Sequence, residues 1–180
     1  MEQRLLHRNV LVLVEQLYED LELWYPVLRL REEGATVLIA GAGTSTYHGK
    51  HGYPVTADMR IEDVQVKDFD AVIIPGGYAP DHLRRNPLTL SLVREMMEQE
   101  KVIGTICHAA WVAISAGIVK DKQMTCFHSI KDDLINAGAQ YSDTEVIRDG
   151  FLISSRQPSD LGMFCREIIE VLSEKTTTKP

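Results

Sequence analysis

The chain has 180 residues and a formal net charge of −7, from 19 lysines and arginines against 26 aspartates and glutamates. This length predicts one domain with a proper hydrophobic core. The 44% hydrophobic and 25% charged content argues against disorder and fibrous repeats. The negative charge argues against a nucleic-acid partner, because it repels a phosphate backbone. Cys107, Cys126 and Cys165 cannot all pair and lack a zinc-ligand spacing, so we expect a reducing compartment and no bound metal.

One uncharged stretch raises the question of a membrane segment. Val102–Val119 has 18 residues without Asp, Glu, Lys or Arg, near the lower limit for a membrane span. It contains a histidine and two glycines, so a buried strand followed by a buried helix fits better. Met1–Val14 carries Glu2, Arg4 and Arg8 before a short apolar run, unlike a secretory signal. We therefore expect a cytoplasmic protein that does not enter a membrane.

The first half of the chain alternates apolar runs with a helical pattern. Short, β-rich apolar runs predict buried strands at Asn9–Val14, Ala35–Ala40 and Phe69–Ile74. Between the first two, apolar residues at helical spacing predict a helix over Asp20–Glu33. Gly41–Pro54 is rich in Gly, Thr and His and is expected to be a loop with short hairpin strands.

The second half continues the alternation. Helices are predicted at Leu88–Gln99, Cys107–Ala116, Ile130–Ala137 and Asp160–Leu172, and a strand at Val102–Ile106. Asp149-Gly150 predicts a hairpin turn between Glu145–Arg148 and Phe151–Ser154. Strands that alternate with helices imply an α/β fold with a mostly parallel sheet. We expect residues 1–172 to form this single domain and residues 173–180 to form a frayed tail.

Residues that directly follow the strands are the first candidates for a site, because ligands of such folds bind beyond the carboxyl ends of the strands. The segment after the first strand is acidic, with Glu19 and Glu22, which disfavours a bound phosphate. After the second strand, Gly41-Ala42-Gly43 only weakly matches a dinucleotide fingerprint, since Thr46 replaces the third glycine. No cofactor is therefore expected.

Pro75-Gly76-Gly77 follows the third predicted strand and has two interpretations. Glycines let the backbone turn sharply with its amides exposed, as an oxyanion hole requires. The same residues are equally consistent with a tight turn into a helix that starts near Pro80.

Cys107 lies between a buried strand and a predicted helix, which is the order of strand, nucleophile and helix in α/β hydrolases. A thiol at a helix N-terminus is expected to have a lowered pKa. The alternative is a buried, inert cysteine, which is common. The other two cysteines lie in apolar segments and are expected to be packing residues.

Several motifs in order resemble the ThiJ/PfpI superfamily. They are the segments 19–22 (EDLE), 49–52 (GKHG), 75–77 (PGG) with 79–80 (AP), and 106–108 (ICH). Segments 131–138 (KDDLINAG) and 154–156 (SSR) resemble the PfpI-type branch of intracellular proteases and stress proteins. The similarity extends from about Asn9 to Leu172. It implies a flavodoxin-like, three-layer α/β sandwich related to class I glutamine amidotransferase domains.

The resemblance also implies roles for single residues. Cys107 matches the nucleophile, the backbone amides of Gly77 and His108 match the oxyanion hole, and Glu22 matches an acid that hydrogen-bonds the sulfur. By the same resemblance, Glu19, Gly76 and Phe127 belong to the substrate pocket, and close relatives often carry Tyr at the position of Phe127.

His108 matches a histidine whose acid partner comes from a neighbouring subunit, which implies at least a dimer. The matching position is Asp81, where close relatives have the longer Glu. Because adjacent residues of a helix point about 100° apart, the ring of His108 is not expected to face the sulfur of Cys107.

His48 and His51 lie on the predicted loop without further metal ligands nearby, so a structural role is expected for them.

The function that the resemblance implies is that of a cysteine-nucleophile enzyme. Its expected substrates are α-oxoaldehydes and their protein adducts, with peptides as a further class. Two alternatives stay open. One is a non-enzymatic stress protein, either a redox sensor that uses Cys107 or a holdase. The other is a nicotinamide or flavin enzyme, which would carry a chromophore.

Overall fold

The computed structural model describes residues 3–174. Its strands are β1 (Asn9–Val14), β2 (Thr36–Gly41), β3 (Thr46–His48), β4 (Pro54–Thr56), β5 (Met59–Arg60), β6 (Ala71–Ile74), β7 (Val102–Ile106), β8 (Gln123–Met124), β9 (Gln140–Tyr141), β10 (Val146–Asp149) and β11 (Leu152–Ser155). Its α-helices are α1 (Asp20–Glu32), α2 (Ala79–Leu83), α3 (Pro87–Glu98), α4 (Ala110–Ala116), α5 (Lys131–Asn136) and α6 (Leu161–Glu174). Five short 3-10 turns are Ile61–Asp63, Val66–Asp68, Cys107–Ala109, His128–Ile130 and Pro158–Asp160.

The main sheet has seven strands in the order β10-β11-β7-β6-β1-β2-β5. All neighbouring strands are parallel except β10, which pairs antiparallel with β11. The predicted α/β class with a mostly parallel sheet is therefore confirmed. A two-stranded antiparallel hairpin, β3–β4, lies outside the sheet as expected, although β4 begins at the last residue of the predicted loop region and extends two residues beyond it.

The core lies on both faces of this sheet. Along β1, Val10, Val12 and Val14 belong to one hydrophobic cluster, which includes buried residues of α1 and α6. The intervening Leu11 and Leu13 belong to the other cluster, which includes buried residues of α3, α4 and α5. This alternation follows from the two-residue side-chain period of a strand. Since both faces are covered, the central strands are mostly apolar, which made them easy to predict.

Element boundaries differ from the sequence-based expectations by only a few residues. In the β10–β11 hairpin, Asp149 pairs with Leu152, so the connection is Gly150-Phe151, one residue later than predicted. Gly150 has a φ of 62°, which explains why the glycine is at the turn. Helix α6 extends to Glu174, so residues 173 and 174 of the predicted tail are helical, and residues 175–180 lie outside the described residues.

The uncharged stretch Val102–Val119 is divided among β7, a 3-10 turn, α4 and the residues after it. None of the helices formed by residues 3–174 is both long enough and apolar enough to cross a membrane.

Strand order places three chain segments at one edge of the sheet. The chain moves from β1 outward to β2, but β6 and β7 lie on the opposite side of β1. The order therefore reverses between β1 and β6, where α/β folds leave a crevice at the carboxyl ends of the strands. The segments that follow β1, β6 and β7 carry Glu22, Gly77 and Cys107, respectively.

Candidate active site

Cys107 occupies a sharp turn between β7 and the helical segment that follows. Its φ is 60°, in the left-handed region that residues other than glycine rarely adopt. The 3-10 turn Cys107–Ala109 then leads into α4. The side chain is buried, with 9% exposure, and lines a cavity. The predicted order of strand, nucleophile turn and helix is thus present, and a strained backbone at such a turn is typical of functional sites.

The loop after β6 is fixed against the loop after β1. Tyr18 forms bridges to both Gly49 and Gly77. The amide of Glu19 donates to the carbonyl of Gly76 at 3.1 Å. At Gly77, where φ is 77°, an added Cβ would lie 2.5 Å from the carbonyl oxygen of Leu17. Only glycine fits this contact, so the position of the Gly77 amide depends on the absence of a side chain.

Two backbone amides point at the sulfur of Cys107. Burial raises the pKa of the Cys107 thiol, whereas the nearby N–H groups of His108 and Gly77 act in the opposite direction and favour the thiolate. These are the two amides that the resemblance assigns to an oxyanion hole. Converging amides at one atom also provide two donors for an anion that forms beside it.

Glu22 lies in the first turn of α1 and is fully buried. Its Oε2 accepts a hydrogen bond of 2.8 Å from the Gly76 amide, whereas its Oε1 has no hydrogen-bond partner among the described residues. Burial raises the pKa of Glu22 to about 8, and the nearby charge of Glu19 acts in the same direction. At neutral pH this carboxyl is therefore protonated, and it can donate a hydrogen bond toward the site.

The thiol of Cys107 is not activated by its position alone. Burial raises the pKa of Cys107 to about 12, and a negative charge on Glu22 is the second cause. The expected lowering by the helix N-terminus is thus wrong for the resting protein, because desolvation of the thiolate outweighs it. Protonation of Glu22 removes the second cause. The thiolate must therefore form together with a proton acceptor.

The ring of His108 lies within hydrogen-bonding distance of the thiol. Its Nδ1 lies 3.1 Å from the Cys107 sulfur, and its Nε2 lies 3.2 Å from the hydroxyl of Ser129. The expectation that the ring faces away from the sulfur is wrong, because it assumed helical geometry. The left-handed φ of Cys107 turns the two side chains toward each other instead. Burial lowers the pKa of His108, and the charges of Lys50 and His128 add to this effect.

Asp81 lies on α2 and forms an ion pair with Arg85 within the same chain. The contacts of the His108 ring nitrogens are Cys107 and Ser129. A pairing of Asp81 with His108 would therefore have to come from a second copy of the chain.

Gly76 does not line the cavity. Its amide is engaged by Glu22, and an added Cβ would lie 2.5 Å from Glu22 Oε2 and 2.7 Å from the Cβ of Cys107. Gly76 thus packs against Glu22 and Cys107 on the side away from the cavity and helps to hold both side chains in place.

Phe127 does line the cavity, with its ring centroid 5.2 Å from that of His108.

Glu19 contributes a buried carboxylate to the wall of the cavity. It forms an ion pair of 2.6 Å with Lys50, whose side chain is 42% exposed. Beside it, Nδ1 of His51 lies 3.1 Å from a carboxylate oxygen of Asp20. Donor atoms of Glu19, Asp20 and His51 lie within 4.8 Å of one another, as a metal would need. However, these carboxylates already bind Lys50 and the amides of His51 and Tyr53.

The cavity around Cys107 has a volume of about 480 Å³. Sequence reasoning did not place five of its lining residues in the site: Lys50, His51, Tyr78, Trp111 and Pro158. Two signals could have identified some of them. Lys50 belongs to the GKHG motif. Trp111 follows His108 by three residues, which places His108 and Trp111 on one face of a helical segment.

The other two cysteines, Cys126 and Cys165, are both 1% exposed, in agreement with the predicted packing role.

The chain is similar to proteins that are named as enzymes. It is 42% identical to the deglycase PfpI of Pyrococcus furiosus over 91% of this chain and 99% of the relative. It is 40% identical to YraA of Bacillus subtilis, named as a candidate cysteine protease, over 92% of this chain and 98% of the relative.

A solved structure gives the same fold. It is a two-domain protein from Anabaena variabilis with DJ-1/ThiJ/PfpI-like and ferritin-like domains, which aligns with a TM-score of 0.90 and 41% identity. The alignment covers 92% of this chain and 48% of that protein. In addition, residues 8–171 match the DJ-1/PfpI family as a whole. The chain belongs to the DJ-1/PfpI family.

Proposed function

We propose that the protein is an enzyme that uses Cys107 as a nucleophile on α-oxoaldehydes and on the adducts they form with proteins. One observation supports this above all: the Cys107 sulfur lies 3.1 Å from an imidazole nitrogen, beside the backbone amides of Gly77 and His108, which favour its thiolate. A neutral carboxyl, Glu22, is buried beside them. Nucleophile, base, oxyanion donors and an acid are the groups that addition to a carbonyl requires.

The chemistry begins with the transfer of the Cys107 proton to Nδ1 of His108. The thiolate adds to the aldehyde carbon, and the amides of Gly77 and His108 bind the oxygen that becomes negative. Protonation of that oxygen gives a hemithioacetal. With methylglyoxal, His108 or Glu22 moves the C1 proton to C2, which yields a thioester of lactate. Water then hydrolyses the thioester, releases lactate and restores the thiol.

The size of the cavity favours adducts over free aldehydes. A volume of about 480 Å³ is within the usual range for ligand pockets and far exceeds the size of methylglyoxal. Trp111 and Phe127 on its wall offer contacts for a side chain that carries the adduct. The relative named as a deglycase supports this substrate class.

Peptide hydrolysis is a second candidate, favoured by the same volume and by the relative named as a protease. The thiolate would then attack a peptide carbonyl and form an acyl-enzyme.

An enzyme of the PfpI type is also expected to form a homo-oligomer. Leu21 and Leu28 on α1, with 58% and 60% exposure, are apolar surface that a second copy could cover. Asp81 of that copy remains a candidate acid partner of His108.

The decisive experiment compares the Cys107→Ala variant with the wild type. Consumption of methylglyoxal, release from a methylglyoxal-modified peptide and cleavage of an unmodified peptide are measured in parallel. We expect Cys107→Ala to lose the first two activities while it keeps its circular dichroism spectrum. The matched control is Cys165→Ala, which removes a buried thiol of α6 outside the cavity. Undiminished turnover by Cys107→Ala would exclude the proposal. Peroxide oxidation at Cys107 without any turnover would favour the redox sensor.

A further inference from the structure

The imidazole of His108 is contacted at both of its nitrogens by residues of its own chain. Nδ1 lies 3.1 Å from the sulfur of Cys107, and Nε2 lies 3.2 Å from the hydroxyl oxygen of Ser129. The ring is also contacted on its sides by Trp111 and Phe127, with centroid distances of 5.1 Å and 5.2 Å. These four contacts, all within one chain, hold the ring in its orientation.

Backbone hydrogen bonds fix the position of Ser129 relative to Cys107. It lies in the 3-10 turn His128–Ile130, directly after Phe127. The amide of Phe127 donates to the carbonyl of Cys107 at 3.3 Å, and the amide of Ile130 donates to the carbonyl of Phe127 at 3.1 Å. The turn that presents the hydroxyl is thus tied to the residue that carries the thiol.

We propose that Ser129 is the positioning residue of His108: its hydroxyl accepts the Nε2–H hydrogen bond, so that unprotonated Nδ1 faces the Cys107 thiol. This inference rests on the proposed function, because it describes how the base of that reaction is oriented. The hydrogen bonds then run in one direction. The S–H of Cys107 donates to Nδ1, and Nε2–H donates to the oxygen of Ser129.

The same arrangement suits the ring after proton transfer. The imidazolium keeps its Nε2–H bond to Ser129, and this bond strengthens because the donor is now charged. Nδ1–H then donates to the thiolate. No proton leaves the pair, and no group has to move.

A neutral partner sets the resting charge of His108. The charged and titratable groups that influence the ring are Lys50, His128 and the Cys107 thiol, with Glu22 and Glu19 in the same cavity. Burial lowers the pKa of His108 most, and the first two groups add to this effect because they oppose a positive charge on the ring. A carboxylate at Nε2 would counter them and hold the ring as an imidazolium, whereas a hydroxyl leaves it neutral and able to act as a base.

The Ser129 contact also bears on Asp81. Within the chain its carboxylate is paired with Arg85. An acid from a second copy of the chain would have to share the Nε2–H of His108 with the hydroxyl of Ser129.

The test uses the variants Ser129→Ala, Ser129→Thr and Ser129→Asp of the full chain. The control is Ser142→Ala, which removes another exposed hydroxyl, with no side-chain bond to the site. Two measurements need no substrate: the tautomer and pKa of His108 by nitrogen NMR of labelled histidine, and the rate at which iodoacetamide alkylates Cys107. The His108 signal is assigned with His108→Asn.

We expect Ser129→Ala to alkylate about 3- to 10-fold more slowly near neutral pH, the size of one lost hydrogen bond. It should also increase the Nδ1–H tautomer and lower the pKa of His108. Ser129→Thr should restore wild-type values, and Ser129→Asp should raise the pKa of His108. If Ser129 had only a structural role, its substitution would change neither the tautomer nor the pKa of His108.

Two results would overturn the inference. One is a wild-type tautomer and alkylation rate in Ser129→Ala. The other is a change of both in Asp81→Asn but not in Ser129→Ala, which would assign the role to a second subunit. Because these readouts contain no aldehyde or peptide, they can fail while methylglyoxal turnover persists. Conversely, the expected tautomer and alkylation rate can be found in a protein that lacks turnover. A failure of the role proposed for Ser129 can therefore be told apart from a failure of the proposed function.

Discussion

Glu22 and Gly76 are 54 residues apart in the chain, yet the Gly76 amide donates a 2.8 Å hydrogen bond to the Glu22 carboxyl. This contact joins the first turn of α1 to the loop after β6 at the point where the strand order reverses. It also keeps the carboxyl beside Cys107, because the space next to Gly76 is shared by Glu22 and Cys107.

A side chain at position 76 should therefore damage the site. In Gly76→Ala, the new Cβ would lie 2.5 Å from Glu22 Oε2 and 2.7 Å from the Cβ of Cys107. We expect kcat/KM to fall about 10- to 100-fold, as when catalytic groups are displaced by roughly 1 Å. Overpacking should also cost about 1–3 kcal/mol of unfolding free energy. The control is Gly43→Ala, where an added Cβ meets nothing within 4 Å. Equal activity of the two variants would contradict the prediction.

The protonation of Glu22 makes stability depend on pH. Its pKa is about 8 in the folded protein, against 4.5 for a glutamate that the fold does not perturb, so the folded state binds the proton more tightly between these values. Unfolding free energy should therefore fall as pH rises from about 4.5 to 8, by up to about 5 kcal/mol.

Glu22→Gln removes this titration and should gain stability relative to the wild type between about pH 5 and pH 9. Denaturant unfolding of both proteins across this range measures the effect. Glu98→Gln, at an exposed position of α3, should track the wild type at every pH. Parallel curves for Glu22→Gln and the wild type would show that the carboxyl is ionised in the folded protein.

Direct ionisation of the Cys107 thiol should make its reactivity toward iodoacetamide rise with pH above neutrality, in addition to the pH-independent reaction of the thiolate–imidazolium pair with His108. Burial raises the pKa of its thiol to about 12, so the thiolate fraction increases about tenfold per pH unit below that value. Above about pH 8 the ionised Glu22 opposes the thiolate, so Glu22→Gln should react faster than the wild type there. Mass spectrometry of the intact protein follows the modification. Cys126 and Cys165, at 1% exposure, should react only after unfolding.

The sequence allowed the elements around the site to be predicted, but not the contacts between them. Val102–Ile106 is a short, β-rich run without charged residues, and the strand before Cys107 was predicted with the bounds that the structure shows. The left-handed φ of Cys107 has no local signal in a residue with a side chain, and the contact between Cys107 and His108 was missed for that reason.

Contacts between distant segments posed a different problem. Whether Glu22 contacts Gly76 depends on strand order, which short-range periodicity does not encode; only the family resemblance placed that acid near the sulfur. The Ser129 contact could not be predicted in either way, because it depends on the 3-10 turn that precedes α5.

The ion pair between Glu19 and Lys50 should respond unequally to the loss of each partner. The Glu19 carboxylate is buried, with 7% side-chain exposure, whereas Lys50 is 42% exposed and retains contact with water. Lys50→Met should therefore leave a buried charge unpaired and cost about 2–4 kcal/mol of unfolding free energy. Glu19→Gln leaves a hydrated ammonium and should cost less than about 1 kcal/mol. Denaturant unfolding of both single variants and of the double variant measures the difference. If the two single variants lose equal stability, the asymmetry is absent and the carboxylate is hydrated from the cavity.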